Sequence, residues 1–269
     1  MMNMAENVEL CWIDSHCHWD FELFDADREQ LWQNIIACGG RGLIIPGTQA
    51  SQWSWQLDLC EGPPWFPALG IHPYFLDSYQ TQHLQQLAQM LEAEQPVAVG
   101  EIGLDFGLPR ESRTLQLEVF EQQLALAKGH GLPVILHAHK AYDQVAASLK
   151  QVRFSYGGIV HGFSGSQQQA QRLLDCGMTI GIGGVISRPN AERLRRLVAT
   201  LPVGSWVLET DAPDMTPAFW RDRRNDPRSL LLVAQQLASL RGSSLGQILS
   251  EHMSTLIKLF PVLKNLPNP

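Results

Sequence analysis

The chain contains no apolar stretch approaching the ~18 uninterrupted residues of a membrane span, and its first residues, MMNMAENVEL, lack the basic start and apolar segment of a secretory leader. These two gaps predict a soluble, cytoplasmic protein with no membrane partner. Cysteine is scarce: Cys11, Cys17, Cys38, Cys60 and Cys176 form an odd set of 5 with no Cys-x-x-Cys spacing, which argues against a disulfide framework or a structural zinc cluster. They are read as reduced and mostly buried. Basic residues are outnumbered, 20 Lys+Arg against 27 Asp+Glu for a net charge of −7, so nucleic-acid binding cannot rest on a globally basic surface. A polyanionic substrate would need locally placed cations. No Ser/Gly tract, Pro tract or block of like charge marks a linker.

What is present is an ordinary globular composition, 45% apolar and 17% charged over 269 residues. At about 150 residues per domain, that length allows two small domains or one large α/β barrel. Eight short apolar runs decide between them: LCWIDSH, GLIIPGT, FPALGIHP, VAVGEIGLD, PVILHAH, GGIVHGF, MTIGIGG and SWVLETDA. They recur about every 28 residues, close to the ~31 of one βα unit in an eight-unit barrel. The runs are continuously apolar rather than alternating, as parallel strands covered on both faces require. Helical patterns lie between them. Ser166 with Gln169 reads as a capping box opening SQQQAQRLLDCG, and Asn190 is expected to cap AERLRRLVATL. SSLGQILSEHMSTLIKLF reads as a terminal amphipathic helix packed on the outside. The expected fold is α/β, one (β/α)8 TIM barrel domain over residues 1–269.

Ionisable residues fall where such a barrel concentrates chemistry. His16 and His18 end the first run, Glu101 the fourth, His137 the fifth, His161 the sixth and Asp211 the eighth, all at the C-terminal strand ends that build barrel active sites. Residues i and i+2 share a face, so His16 and His18 present two imidazoles together with Cys17 turned away. An isolated His-x-His is a weak signal, and Glu101 or Asp211 alone could be a strand-end or turn carboxylate. The conjunction is strong, because burying six such groups without a metal would leave polar groups unpaired at several kcal/mol. Six donors exceed the needs of one tetrahedral ion, which points to two divalent cations sharing Glu101. Ligand softness favours zinc, manganese or iron over magnesium.

Six segments, DSHCHWD, GIHPY, VGEIGLDF, LPVILH, HGFSGS and LETDAP, resemble the TatD-like metal-dependent hydrolases and deoxyribonucleases in order along most of the chain. The resemblance implies a TIM barrel of the metallo-dependent hydrolase type, with His16, His18, Glu101, His137, His161 and Asp211 as ligands and magnesium-supported nuclease activity. Where that family commonly carries Ser-Arg after LPVILH, this chain has Ala138, His139 and Lys140, and GLDFGLPRESR departs from its usual spacing.

Around the ligands, His72 is expected to hold a substrate phosphate, and His139, read as lying past its strand end, to touch substrate without binding metal. Asp105 is expected to orient a ligand imidazole, and Glu209, on the same face as Asp211 but deeper, to have a structural hydrogen-bonding role. Cys11 and Cys17 read as core, and His83, His130 and His252 as surface residues. The loop PDMTPAFWRDRRNDPR holds Arg221, Arg223, Arg224 and Arg228, in a position where barrel loops commonly bind phosphate. Arg224 is therefore expected to contact substrate, and Asp226 with Pro227 to start the next helix. The first functional expectation is hydrolysis of phosphoester bonds, in particular on DNA ends, with Asp211 as general base. The alternative is an amidohydrolase or lactonase using the same ions on a small carbonyl substrate. A quiet binding protein is disfavoured by the complete donor set, and no obligate protein partner is evident.

Overall fold

All eight apolar runs become strands in the computed structural model, which describes residues 10–220 and 224–266. They are β1 (Trp12–Asp14), β2 (Gly40–Pro46), β3 (Trp65–Leu69), β4 (Ala98–Asp105), β5 (Val134–His139), β6 (Gly158–Val160), β7 (Met178–Ile182) and β8 (Trp206–Leu208). Each pairs in parallel with the next, in the order β1 to β8. The helices alternate with them: α1 (Arg28–Ala37), α2 (Trp53–Cys60), α3 (Gln82–Glu94), α4 (Arg113–His130), α5 (Tyr142–Gln151), α6 (Gln167–Leu174) and α7 (Glu192–Thr200). Two more, α8 (Leu230–Arg241) and α9 (Leu245–Leu259), follow β8. The fold is a nearly closed (β/α)8 TIM barrel.

Local sequence sets some of the helix boundaries. Ser166 and Gln169 form the reciprocal capping box at α6, and Ser244 accepts from Gln247 N at the start of α9. Asp226 caps the short turn Pro227–Ser229 that leads into α8. Asn190 does not cap α7: Ala191 occupies that position, and no side chain bonds the freed amides there. Among the cysteines, all free, Cys17 is buried and the other four are only partly so, Cys11 included.

Two apolar clusters hold the barrel. The larger lies between strands and helices and contains the fully buried Trp12, Trp53, Trp206 and Phe120. The smaller gathers Ile13, Ile44, Ile135, Ile159 and Val207 with Leu256, Phe260 and Leu263 of α9 and the turn after it. The terminal helix is therefore not an outer layer: its apolar face packs on the barrel's own strand residues. Each large apolar side chain so buried contributes roughly 1.5–3 kcal/mol.

That placement also overturns the surface reading of His252, which is fully buried. His252 Nδ1 accepts from Leu208 N at 3.0 Å and Nε2 donates to Ile13 O at 2.7 Å. It thus spans the seam between β8 and β1, which no continuous ladder closes among the described residues. Further along the seam, Ser15 Oγ donates to Leu208 O at 2.8 Å and Asp14 accepts from Thr210 N and Oγ1 at 3.0 and 2.5 Å. Two backbone bonds continue it: Asp211 N to His16 O at 2.9 Å and His18 N to Ala212 O at 2.8 Å. His130 is exposed and His83 partly so.

Candidate metal centre

Beyond the upper end of that seam, β1 gives way to a segment carrying His16 and His18. Cys17 forms a bridge with Ala212 and turns its thiol into the core, which leaves both imidazoles on the opposite side. Glu101 lies within β4 rather than at its end, where the β4–β5 register breaks between Val99 and Ile102. Such an irregularity re-aims a side chain. Glu101 N donates to Gly47 O at 2.7 Å, which fixes the backbone there. Two residues on, Gly103 sits at φ 148°, where a Cβ would lie 2.0 Å from His137 O; only glycine lets β4 and β5 approach this closely beneath the site. His161 follows β6 directly, and Asp211, at φ 56°, follows β8 by three residues.

These elements bring all six expected ligands together, divided between the two oxygens of Glu101. Glu101 Oε2 lies 3.4 Å from both His16 Nε2 and His18 Nε2, which are 3.4 Å from each other. Asp211 Oδ1 lies 3.2 Å from His16 Nε2 and 3.5 Å from His18 Nε2. A tetrahedral ion with bonds of about 2.0–2.1 Å keeps its donors about 3.3 Å apart, so the separations suit a cation at their centre. Glu101 Oε1 faces the second group, with His161 Nε2 at 2.6 Å, His137 Nδ1 at 3.1 Å and His72 Nε2 at 3.3 Å. The donor chemistry and spacing fit divalent metal.

The electrostatics follow from burial and close opposite charges. Burial works against a charged His16 and His18, but the carboxylates of Glu101 and Asp211 outweigh it and raise both imidazoles, His16 well above its usual range. Glu101 resists burial and is held well below the carboxylate range by His161, His72 and His16. A bound cation would take the place of the protons these pairs attract. Burial dominates at His72, lowered to about 4, and lowers His161. His137 opposes burial through Asp105 and Glu101 and rises to about 9.

Asp105 Oδ2 sits 3.0 Å from His137 Nε2, which leaves Nδ1 of that ring for the cluster. Glu209 is fully buried below the ligands: Oε1 accepts from Gly162 N, Oε2 has no partner among the described residues, and burial raises its acid to about 8. Gly181 makes room for it, since a Cβ there would lie 2.3 Å from Glu209 Oε2.

Three of the surrounding expectations change. His72 lines the cavity but lies buried against Glu101, beside the candidate donors, and its Nδ1 accepts from Tyr74 N at 3.0 Å. His139 is the last residue of β5 rather than beyond it, and its exposed side chain lines the cavity mouth. Arg224 turns away: its guanidinium forms a bidentate pair with Asp27 at 3.0 and 2.7 Å, donates to Leu23 O and covers the Phe24 ring. Arg221 and Arg223 lie outside the described residues. Arg228 pairs with Asp226 at 2.7 Å.

Above the donors opens a cavity of about 490 Å³. Phe21, Tyr74 and Phe75 form one wall, and Val185, Arg188 and Met215 belong to the opposite loops. Sequence reasoning did not single out these six. Single aromatic or apolar residues in loops carry no periodic signal; Arg188 had one, its place after the seventh run, where barrel loops gather phosphate contacts.

A TIM barrel with a buried His/Glu/Asp cluster at its C-terminal face defines a metal-dependent hydrolase. The family model of TatD-related DNases matches residues 13–261, and the chain belongs to that family. It is similar to the uncharacterized metal-dependent hydrolase YjjV of Escherichia coli K12, 40% identical over 253 residues, 93% of this chain and 98% of YjjV. The crystal structure of that TatD homolog superposes with a TM-score of 0.89 at 39% identity, again over 93% of this chain and 98% of the other. The 3'-5' ssDNA/RNA exonuclease TatD of Pantoea vagans C9-1 is 31% identical over 88% of this chain and 95% of its own length. No helix among the described residues is long and apolar enough to cross a membrane.

Proposed function

We propose that this site hydrolyses phosphoester bonds of nucleic acid in the cytoplasm, as a deoxyribonuclease using two divalent cations, with zinc, manganese and magnesium as the candidates. The carrying observation is the divided donor set: each oxygen of Glu101 faces its own group of imidazoles. His16, His18 and Asp211 would hold one cation, His137 and His161 the other, with Glu101 shared and His72 beside it. Bound there, the cations supply Lewis acidity and lower the pKa of water. Asp211 touches the donors and lines the cavity as Glu101 does, but it is not shared between the two groups, and it takes up the proton of the attacking water. Asp105 holds the His137 ring, so that its Nδ1 stays directed at the cluster. Glu209, fully buried and absent from the cavity lining, is unsuited to be that base. The names of the TatD relatives support nucleic acid as substrate.

The test is a metal-reconstituted screen of end-labelled single-stranded DNA beside phosphomonoesters, carboxylic esters and dihydro-ring amides. Progressive shortening of the DNA is expected. Turnover of an amide or lactone with DNA left intact would replace this reading by the amidohydrolase alternative.

A further inference from the structure

Among the described residues lining the cavity, Arg188 alone carries a permanent positive charge; the other basic groups there are imidazoles, of which His18, His72, His137 and His161 face Glu101. It follows the short turn Gly184–Ser187 after β7, and its side chain is exposed at the mouth. Among the described residues, neither an ion pair nor a hydrogen bond to its guanidinium is found, in contrast to Arg224 and Arg228. An exposed arginine is ordinarily only a solvated charge.

What sets Arg188 apart is the rigidity of the backbone that carries it. Arg195 Nη1 donates to Ile186 O at 3.1 Å and to Arg188 O at 2.7 Å, and its Nη2 to Pro189 O at 3.1 Å. Gln236 Nε2 donates to Ile186 O at 3.0 Å. Ser187 Oγ donates to Gly184 O at 2.6 Å and accepts from Ala218 N at 2.7 Å, which ties the loop after β7 to the loop after β8. The two loops touch so closely that a Cβ on Gly184 would lie 2.3 Å from Met215 O. Arg195 thus spends its donors on carbonyls, and Arg188 is left with a fixed backbone and a guanidinium that has no partner among the described residues. Preorganised placement of this kind is what a bidentate phosphate contact needs.

We propose that Arg188 is a substrate-phosphate contact of the site, binding a non-bridging oxygen of the phosphodiester, or of the phosphate next to it, as the strand enters the cavity. It fills the role first expected of Arg224 and makes an acidic protein locally receptive to a polyanion. The inference rests on the phosphoesterase reading of the metal centre.

Arg188→Ala, Arg188→Lys and, as a charge control far from the cavity, Arg196→Ala would be compared in metal-loaded form. Elemental analysis should give the same metal content in all of them. The probes are a fluorescein-labelled thymidine octamer with hydrolysis-resistant phosphorothioate linkages, read by anisotropy across salt concentrations, and inorganic phosphate, read by calorimetry. Arg188→Ala should weaken octamer binding ~10-fold and lower the slope of log affinity against log salt by about one, with Arg188→Lys between it and wild type and Arg196→Ala unchanged. Wild type that cleaves DNA while Arg188→Ala keeps its affinity and slope would overturn the contact and spare the nuclease reading. Wild type that ignores DNA but loses phosphate affinity on Arg188→Ala would keep the contact and overturn the nuclease reading. Failure of wild type to bind either probe would overturn both.

Discussion

Seven of the barrel's strand junctions are closed by parallel backbone ladders, and the eighth, between β8 and β1, is closed by an assortment of side chains and single backbone bonds. A ladder repeats itself and holds neighbouring chains at one spacing. At the β8–β1 seam both strands end after three residues, and the irregular segments that continue them, still joined by Asp211 N to His16 O and His18 N to Ala212 O, carry His16, His18 and Asp211. From the barrel floor to the rim, the seam runs through His252, Ser15, the Asp14–Thr210 pair, two backbone bonds and the Arg224–Asp27 pair. Of the candidate donors on the ladder side, Glu101 and His137 come from within strands and His161 directly follows β6; those on the seam side come from beyond the strands. Laddered strands carry the donors on the ladder side, with one register break at Glu101, whereas the seam positions His16, His18 and Asp211 through individually replaceable contacts.

The sharpest way to break the seam side is to remove its donors. His16→Ala with His18→Ala should strip most bound metal, as read by elemental analysis, and turnover should fall by more than the ~10²–10⁴ of a lone general base. A double variant with wild-type metal content would show that the paired imidazoles are not ligands.

Asp211→Asn is the next largest effect. Asparagine keeps a coordinating carbonyl oxygen but cannot accept a proton at neutral pH. Turnover on metal-matched samples should fall by about 10²–10⁴, or roughly 3–5 kcal/mol of barrier. Glu209→Gln should act on melting temperature or metal affinity first, because that carboxyl is buried beneath the candidate ligands and away from the cavity. If Asp211→Asn keeps its turnover and Glu209→Gln abolishes it, the base is Glu209.

The sequence made the ladder side and the clustering of the candidate ligands legible, because continuous apolar runs at a βα interval identify parallel strands and because each of those residues falls at or just past one. It concealed the seam. His252 looked like a surface histidine on an amphipathic helix, since periodicity places a residue on a helix face without saying what that face meets. The same blindness put α9 outside the barrel when Leu256 and Phe260 pack on inner strand residues. Arg224 was misjudged for a related reason: a cluster of arginines in a loop signals charge, and only the fold shows that Asp27 is already opposite it.

His252 therefore gives the third test. Its hydrogen bonds fix the neutral Nε2–H tautomer, and a proton on Nδ1 would meet the Leu208 N–H. His252→Leu leaves a buried donor and a buried acceptor without partners, at about 1–3 kcal/mol each, whereas His252→Gln retains one of each and should lose less. Burial lowers the imidazole to about 4 from 6.5, so the unfolded chain binds the proton first as pH falls. The contribution is complete above pH 6.5 and is lost between there and pH 4, up to roughly 3 kcal/mol at 1.36 kcal/mol per unit. Asp14, raised to about 7 by burial, titrates with the opposite sign. The difference between wild type and His252→Gln in denaturant unfolding at pH 7 and pH 5 separates the two, and a difference that does not shrink at pH 5 would contradict the neutral-tautomer assignment.

The smallest effect belongs to the seam's outermost tie. Arg224 and Asp27 are 26% and 44% exposed, so water screens their attraction and already solvates both groups when they part. Their geometry is nonetheless bidentate, and the Arg224 stem covers the Phe24 ring, which adds packing to charge. Arg224→Ala should cost about 1 kcal/mol at most, against the several of His252→Leu, although both residues bridge the same two chain segments. The contrast isolates burial as the variable that sets the worth of a seam contact. The same variant separates the two arginines by function: Arg224→Ala should leave the salt slope of oligonucleotide binding where it is, and Arg188→Ala should lower it. A slope that falls with Arg224→Ala would mean that the guanidinium leaves Asp27 for phosphate when substrate arrives, and the rim of the seam would then belong to the binding surface.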